Sequence, residues 1–298
     1  MTAPKPTVNV AILAYNEART IVSLIRSVVT QVQDTFVISQ VRLYYDGGRD
    51  NTVSLVKKHF PQVRTYSFRK NRGKMARING LMRHNDADIL IQIDADVRLA
   101  HSGVFRELVK PFRHHPQVGM VCAYLKATPP HTYPGRIAQL GFRVWDRARN
   151  SLGPSGVRYY CEGGLRAFSR QFASQFRLPL GRHLGEDTYS FYWAVSHGFV
   201  VRVAKRATAW IELPETYSDY VRQMKRFLTD PTMVRDLFVP RLTQKFETMT
   251  LSRKLISLAG ELIDHPLVGL GYLLLQGLIK LQMPFYKPPV NWATVRRK

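Results

Sequence analysis

Cysteine is almost missing from this chain: Cys122 and Cys161 are the 2 that its 298 residues contain. Two thiols exclude the disulfide framework that staples small secreted domains, and a reducing compartment is the expectation. Acids are scarce too, 21 against 44 Lys and Arg. Long hydrophobic runs are absent. The longest, Leu267–Ile279 (LVGLGYLLLQGLI), stops before Lys280, whereas a helix spanning a bilayer needs about 20 apolar residues. The opening MTAPKPTVNV has no signal-peptide core, so a cytoplasmic location is expected. No internal repeat or low-complexity tract occurs. What is present is 45% hydrophobic residues, enough for a large core in one extended domain with a smaller appendage.

The shortage of acids leaves a formal charge of +23, which draws a chain toward polyanions: nucleic acid, an acidic membrane surface or sugar phosphates. Basic and acidic residues number 28 and 13 over residues 1–199, and 16 and 8 over residues 200–298, so no basic arm stands apart. No zinc-finger spacing or RNA-recognition aromatic signature appears. Nucleic acid is therefore the lesser reading, and an anionic bilayer explains the charge at least as well.

The most informative stretch is Ile89–Ile93, an apolar run that ends in Asp94 and Asp96. Such a run fits a strand buried on both faces of a parallel sheet, and acids at its carboxyl end face the crevice where open α/β sheets bind ligands. Their expected use is to hold Mg²⁺ or Mn²⁺ against a ligand's phosphates; the alternative is a solvated loop start. Val8–Leu13, Val37–Tyr45 and Val63–Phe68 read as further strands. Each leads through polar residues into a helical pattern, giving β-α-β-α-β-α-β, a nucleotide-binding α/β layout. Asp50 or Asn51 is placed to cap the second helix.

Several motifs then recur in order: Tyr15-Asn16-Glu17, the turn Asp46 to Thr52, Gly73-Lys74 with Asn79, Asp94-Ala95-Asp96, Glu162-Gly163-Gly164 with Arg166, Gly185-Glu186-Asp187, and Gln223-Met224-Lys225-Arg226-Phe227. In these the chain resembles the family 2 inverting glycosyltransferases over residues 8–227, and the last motif is QxxRW-like, as in polysaccharide and glycolipid synthases. Two departures are visible. Tyr45 stands where the family's turn usually begins with an acid, with Gly48 in place of a common serine; and Phe227 replaces the usual tryptophan.

The resemblance implies a GT-A fold, with a catalytic domain at residues 1–229 (donor half about 1–100, acceptor half about 101–229) and a helical region at 230–298. It also implies a metal-dependent enzyme that moves a sugar from a nucleotide donor, UDP by family frequency, to a hydroxyl acceptor. Tyr15 would lie against the base, or merely pack at a strand end. Glu17 would accept from the ribose, or serve as an acid favoured at a helix N-terminus. Asp46 resembles the base-contacting acid. Lys74, at a helix start, suits phosphate; its alternative is a solvated basic face. Asp94 would approach donor hydroxyls while sharing the metal with Asp96. Asp187 matches the general base, with Glu186 orienting it or the acceptor. Gly163 and Gly164 allow close backbone approach to the acceptor. Arg226 would reach the diphosphate, and Gln223 and Phe227 would wall the acceptor, unless that helix is a surface helix with one basic face.

The apolar run Leu267–Ile279 reads as an interfacial or re-entrant helix, followed by Pro284 to Lys287 and the basic end Arg296-Arg297-Lys298. The acceptor is accordingly expected to be a lipid or a polysaccharide at the cytoplasmic membrane face. A buried helical hairpin and a dimer interface are the other readings of this run, and a membrane-bound scaffold without turnover is the non-enzymatic one.

Overall fold

A computed structural model describes residues 4–181 and 184–286, without the side chains at 230–233 and 235. The expected basic end, with Lys287 and Arg296 to Lys298, lies outside the described residues. The first half alternates strand and helix as the periodicity predicts: β1 (Thr7–Ala14), α1 (Ile21–Val29), β2 (Val37–Asp46), α2 (Thr52–His59), β3 (Arg64–Phe68), α3 (Lys74–Arg83) and β4 (Ile89–Asp94). A short β5 (Arg98–Leu99) and α4 (Val104–His114) follow. Then come β6 (Val118–Ala127), α5 (Tyr133–Asn150), β7 (Leu165–Ser169), α6 (Arg170–Gln175), α7 (Glu186–Ser196), β8 (Val200–Ile211) and α8 (Tyr217–Arg235).

All eight strands form one sheet of order β3-β2-β1-β4-β7-β6-β8-β5. The β3-β2-β1-β4 half is parallel, while β7 runs antiparallel to both β4 and β6. The sheet is therefore mixed, and β7 joins the parallel half to β6, β8 and β5. Alternation sorts the side chains. Ile89, Ile91 and Ile93 join the core beneath α1, α2 and α4, whereas Leu90 joins the core beneath α3, α6 and α7. Gln92 falls on the second face and is fully buried, so the run read as apolar carries one polar side chain into the core.

The C-terminal helices α9 (Pro240–Phe246), α10 (Leu251–Asp264) and α11 (Pro266–Gln282) complete the chain. The last packs on α5 and α8 through Ile279 against Ile137, Ala138 and Tyr220. Tyr133 also donates to the Leu267 carbonyl (2.9 Å), and Gln276 donates to the Tyr220 hydroxyl (2.8 Å). The run is thus neither a buried hairpin nor confined to Leu267–Ile279, because its opposite side stays open: Leu267, Leu274, Leu281 and Phe285 are 68–87% exposed. One stretch among the described residues, Pro266–Phe285, is long and apolar enough to cross a membrane by length and composition.

Candidate active site

The site forms at the carboxyl ends of β1, β2 and β4, where the chain leaves the sheet. Asp94 closes β4, and its two oxygens differ. Oδ2 accepts from Lys74 Nζ at 2.6 Å, while Oδ1 is buried with no hydrogen-bond partner. Lys74, first residue of α3, also pairs with Glu186 Oε1 at 2.6 Å. It is no solvated basic face: one ammonium bridges the end of β4 to the start of α7.

Burial works against the Lys74 charge, but Asp94 and Glu186 outweigh it and hold the ammonium above its ordinary value. Burial likewise opposes the Glu186 charge; Lys74 and Arg166 overcome it and bring that carboxyl down to about 2. Asp94 goes the other way. Burial, with Asp96 and Glu186 close by, pushes it up to about 7 despite Lys74. Asp94, Asp96 and Glu186 thus crowd around Lys74, with Arg166 close by.

The orphaned Asp94 Oδ1 supplies an unused acceptor for a divalent cation. No group of three or more His, Cys, Asp or Glu fit to cage a metal occurs among the described residues. Two carboxylates suit Mg²⁺ or Mn²⁺, which keep waters and substrate phosphate oxygens as their other ligands. Asp94 and Asp96 therefore fit the ion.

Glu186 and Asp187 open α7, where the helix dipole favours acids. They face different neighbours. Glu186 meets Lys74, whereas Asp187 sits near enough to Glu162 to help raise its carboxyl, a shift caused first by burial. Glu162 Oε1 pairs with the fully buried Arg149 at 3.0 Å, and its Oε2 is buried and unpartnered. Gly163 is needed at this crossing: a Cβ there would lie 2.5 Å from Glu186 Oε1 and 2.9 Å from Lys74 Nζ. The Gly163 carbonyl accepts from Gln92 (3.0 Å) and the Gly164 carbonyl from the Asp94 amide (2.9 Å).

On the donor side, Glu17 follows Asn16, which takes the left-handed backbone conformation at φ 57°. Thr20 donates to Glu17 Oε2 at 3.1 Å. Tyr15 is half-buried. Asp46, the acid expected to contact the base, is held by its own turn. It is fully buried and accepts from the Arg72 and Gly73 amides (3.1 and 2.8 Å) and from Arg77 (2.5 Å). Its visible work is to hold the turn that presents Lys74. Asp50, rather than Asn51, satisfies the start of α2, accepting from the Thr52 amide and hydroxyl. Tyr45 donates to Asp50 (2.9 Å), and a Cβ on Gly48 would collide with the Tyr45 hydroxyl, so the two departures in this turn are one packing solution.

Gly47 makes a testable case. It sits at φ 71°, and a Cβ would stand 2.6 Å from the Asn71 amide nitrogen and the Lys70 carbonyl carbon. Gly47→Ala is expected to destabilise the fold by about 2 kcal/mol or more, from left-handed strain plus displacement of rigid backbone. Denaturant titration checks this; unchanged stability would mean that the turn gives way freely.

In α8, Gln223 and Arg226 are half-buried and Phe227 is 49% exposed. Arg226 lies near enough to help lower Glu186. Motif reading did not find Gln92 and Arg149. Gln92 Oε1 accepts from Arg166 (3.0 Å), whose other arm donates to Ser190 (3.3 Å), which in turn donates to the Glu186 carbonyl. One glutamine inside a core strand was the available signal, since buried polar groups need partners.

Residues 4–228 match the family described as glycosyltransferase like family 2. No curated protein sequence matches the chain. Among solved structures, a mannosyltransferase from Pyrobaculum calidifontis, in complex with GDP-Man and Mn²⁺, superposes with TM-score 0.60 at 18% identity, over 95% of this chain and 82% of that one. A glucosyl-3-phosphoglycerate synthase from Mycobacterium tuberculosis, solved with Mn²⁺, UDP and phosphoglyceric acid, gives 0.52 at 19% identity over 75% and 78%. TarS from S. aureus gives 0.52 at 14% identity over 80% and 69%.

Proposed function

The chain belongs to the glycosyltransferase family 2-like proteins, and from that premise we propose that it is a metal-assisted, inverting sugar transferase using a nucleotide-sugar donor. The observation that carries this reading is the pair of acids at the end of β4, with Asp94 Oδ1 left without a partner. Similar folds solved with Mn²⁺ and a GDP or UDP ligand support it. Asp94 and Asp96 would hold Mg²⁺ or Mn²⁺, which when bound neutralises the diphosphate and the charge that grows on it as the sugar departs.

The remaining roles belong to the chain itself. Glu17 and Tyr15 would meet the nucleoside. Lys74 keeps Asp94 and Glu186 in fixed register, and Arg226 would add positive charge on the diphosphate side. Asp187 would take the acceptor hydroxyl's proton, since single displacement needs a carboxylate opposite the leaving group. Gly163, Gly164, Glu186, Gln223 and Phe227 would frame the acceptor. A screen of UDP- and GDP-sugars with Mn²⁺ tests the reading. It expects metal-dependent release of nucleoside diphosphate from one donor; no release from any donor would favour a scaffold without turnover.

The acceptor is proposed to be a lipid or polysaccharide hydroxyl at a membrane, and α10 supports this. One of its acids faces inward: Glu261 is buried and pairs with Arg143 (2.9 Å) and Arg147 (3.1 Å) of α5, while Arg253, Lys254 and Asp264 are exposed. Its apolar residues face out, Leu251, Ile256 and Ile263 being 70–80% exposed. Joined with the open face of α11, this is an apolar surface of the kind that enters a headgroup layer. The full chain is expected to float with anionic vesicles more than with neutral ones, and less as salt rises, because the electrostatic part is screened. A chain lacking residues 250–298 should stay in solution. If full and shortened chains partition alike, or the full chain forms a dimer that ignores vesicles, the surface is an oligomer contact.

A further inference from the structure

We propose that the sheet face shared by β5, β8 and β6 is an acceptor subsite for an anionic saccharide, its sugar ring on Trp210 and its acidic group on Arg98 and Lys126. This rests on the transferase reading and specifies its acceptor.

Alternation sets the face. Leu99, Ala209 and Leu125 point into the core shared with α4, so Arg98, Trp210, Tyr124 and Lys126 point the other way. Register aligns them. Trp210 lies directly across from Arg98 on one side and from Lys126 on the other. Both cations stand 5.8 Å from the Trp210 ring centroid. They are exposed, while Trp210 and Tyr124 are half-buried.

Neither Arg98 nor Lys126 has an ion-pair partner among the described residues. Lys74, Arg77, Arg149 and Arg158 are, in contrast, all paired. Two unpaired cations flanking an indole leave their charge for an incoming anion, and the indole offers a flat apolar face against which the C–H side of a pyranose packs.

Both ends of this shelf meet the active site. Arg98 is two residues beyond Asp96. At the other end Tyr124 lies 5.3 Å under the Arg149 guanidinium, which pairs with Glu162 beside Asp187. The acids at that end are already engaged: Glu162 pairs with Arg149 (3.0 Å), and Asp146 accepts from Tyr124 (2.7 Å) and pairs with Arg149 (2.8 Å). The shelf is thus tied through Arg98 to the loop of the proposed metal carboxylates and through Tyr124, Arg149 and Glu162 to the proposed base.

Ligand-observed NMR titration with glucose 6-phosphate, glucose and inorganic phosphate tests the site without the transfer reaction. Glucose 6-phosphate is expected to bind roughly 10–100-fold tighter than glucose, the worth of one charge-assisted contact, and tighter than phosphate alone. Arg98→Gln with Lys126→Gln should erase the preference for the phosphosugar, and Trp210→Ala should weaken both sugars, with Trp210→Phe restoring part. Equal binding of glucose and glucose 6-phosphate, phosphate binding as tightly as the phosphosugar, or indifference to these variants would overturn the proposal. Donor hydrolysis by the wild type separates the two readings: hydrolysis without phosphosugar binding removes the shelf alone, whereas phosphosugar binding without hydrolysis removes the transferase reading.

Discussion

Asp187→Asn is expected to lower turnover by roughly 10²–10⁴, the usual worth of a general base, while leaving donor affinity close to that of the wild type. The geometry makes this separation possible. Glu186 is bound to Lys74, whereas Asp187 lies close enough to Glu162 to act on its charge. Asparagine keeps the shape and can still accept from the Thr188 amide, which Asp187 Oδ1 does at 2.6 Å, so α7 keeps its start. Single-turnover kinetics together with nucleotide titration read the two quantities apart. A parallel fall in both would make Asp187 a binding residue, and retention at the anomeric carbon would contradict single displacement.

Asp96→Ala is expected to reduce transfer by roughly 10³-fold or more, the equivalent of about 4 kcal/mol of leaving-group stabilisation. Nucleotide affinity in Mn²⁺ should fall to the level the wild type shows in EDTA. Asp94 alone offers a single open oxygen, Oδ1, because Oδ2 is committed to Lys74. Asp96 is half-buried in the loop past β4 and contributes little to the core, so the melting temperature should hardly change. Full activity of the wild type in excess EDTA would falsify the metal-assisted mechanism. Asp94→Asn is the poorer variant, since it also loosens Lys74 and through it Glu186.

The alternation of strand and helix through Asp94 was legible because each strand is a short apolar run and each helix repeats its apolar residues at three and four. Sheet order was not, since β7 and β6 are read antiparallel only through their pairing. The acids near Lys74 were legible as residue types, but what they bond was not. Asp46 illustrates this: a turn acid looks free in sequence, yet three donors close over it in the fold. Gln92 and Arg149 were missed for a related reason. Their partners lie far along the chain, Arg166 and Gly163 for the one and Glu162 for the other. The C-terminal surface was half legible. The apolar run of α11 announced itself, whereas α10 mixes charge with leucine and isoleucine, and only packing reveals that Glu261 is inside while Leu251, Ile256 and Ile263 are out.

The Tyr45–Gly48 contact fixes an order in which this turn can change over generations. From the present state, a serine at position 48 would drive its Cβ into the Tyr45 hydroxyl and Asn16 Oδ1, so that step is barred while the phenol remains. Shortening Tyr45 first opens the space, and only then does position 48 become permissive. Read in reverse, a lineage carrying the commoner acid and serine had to lose the serine side chain before it could admit the ring. Glycine at 48 with a residue shorter than tyrosine at 45 is then the state common to both routes, and a library that randomises 45 and 48 together should recover the two as linked pairs rather than as independent choices.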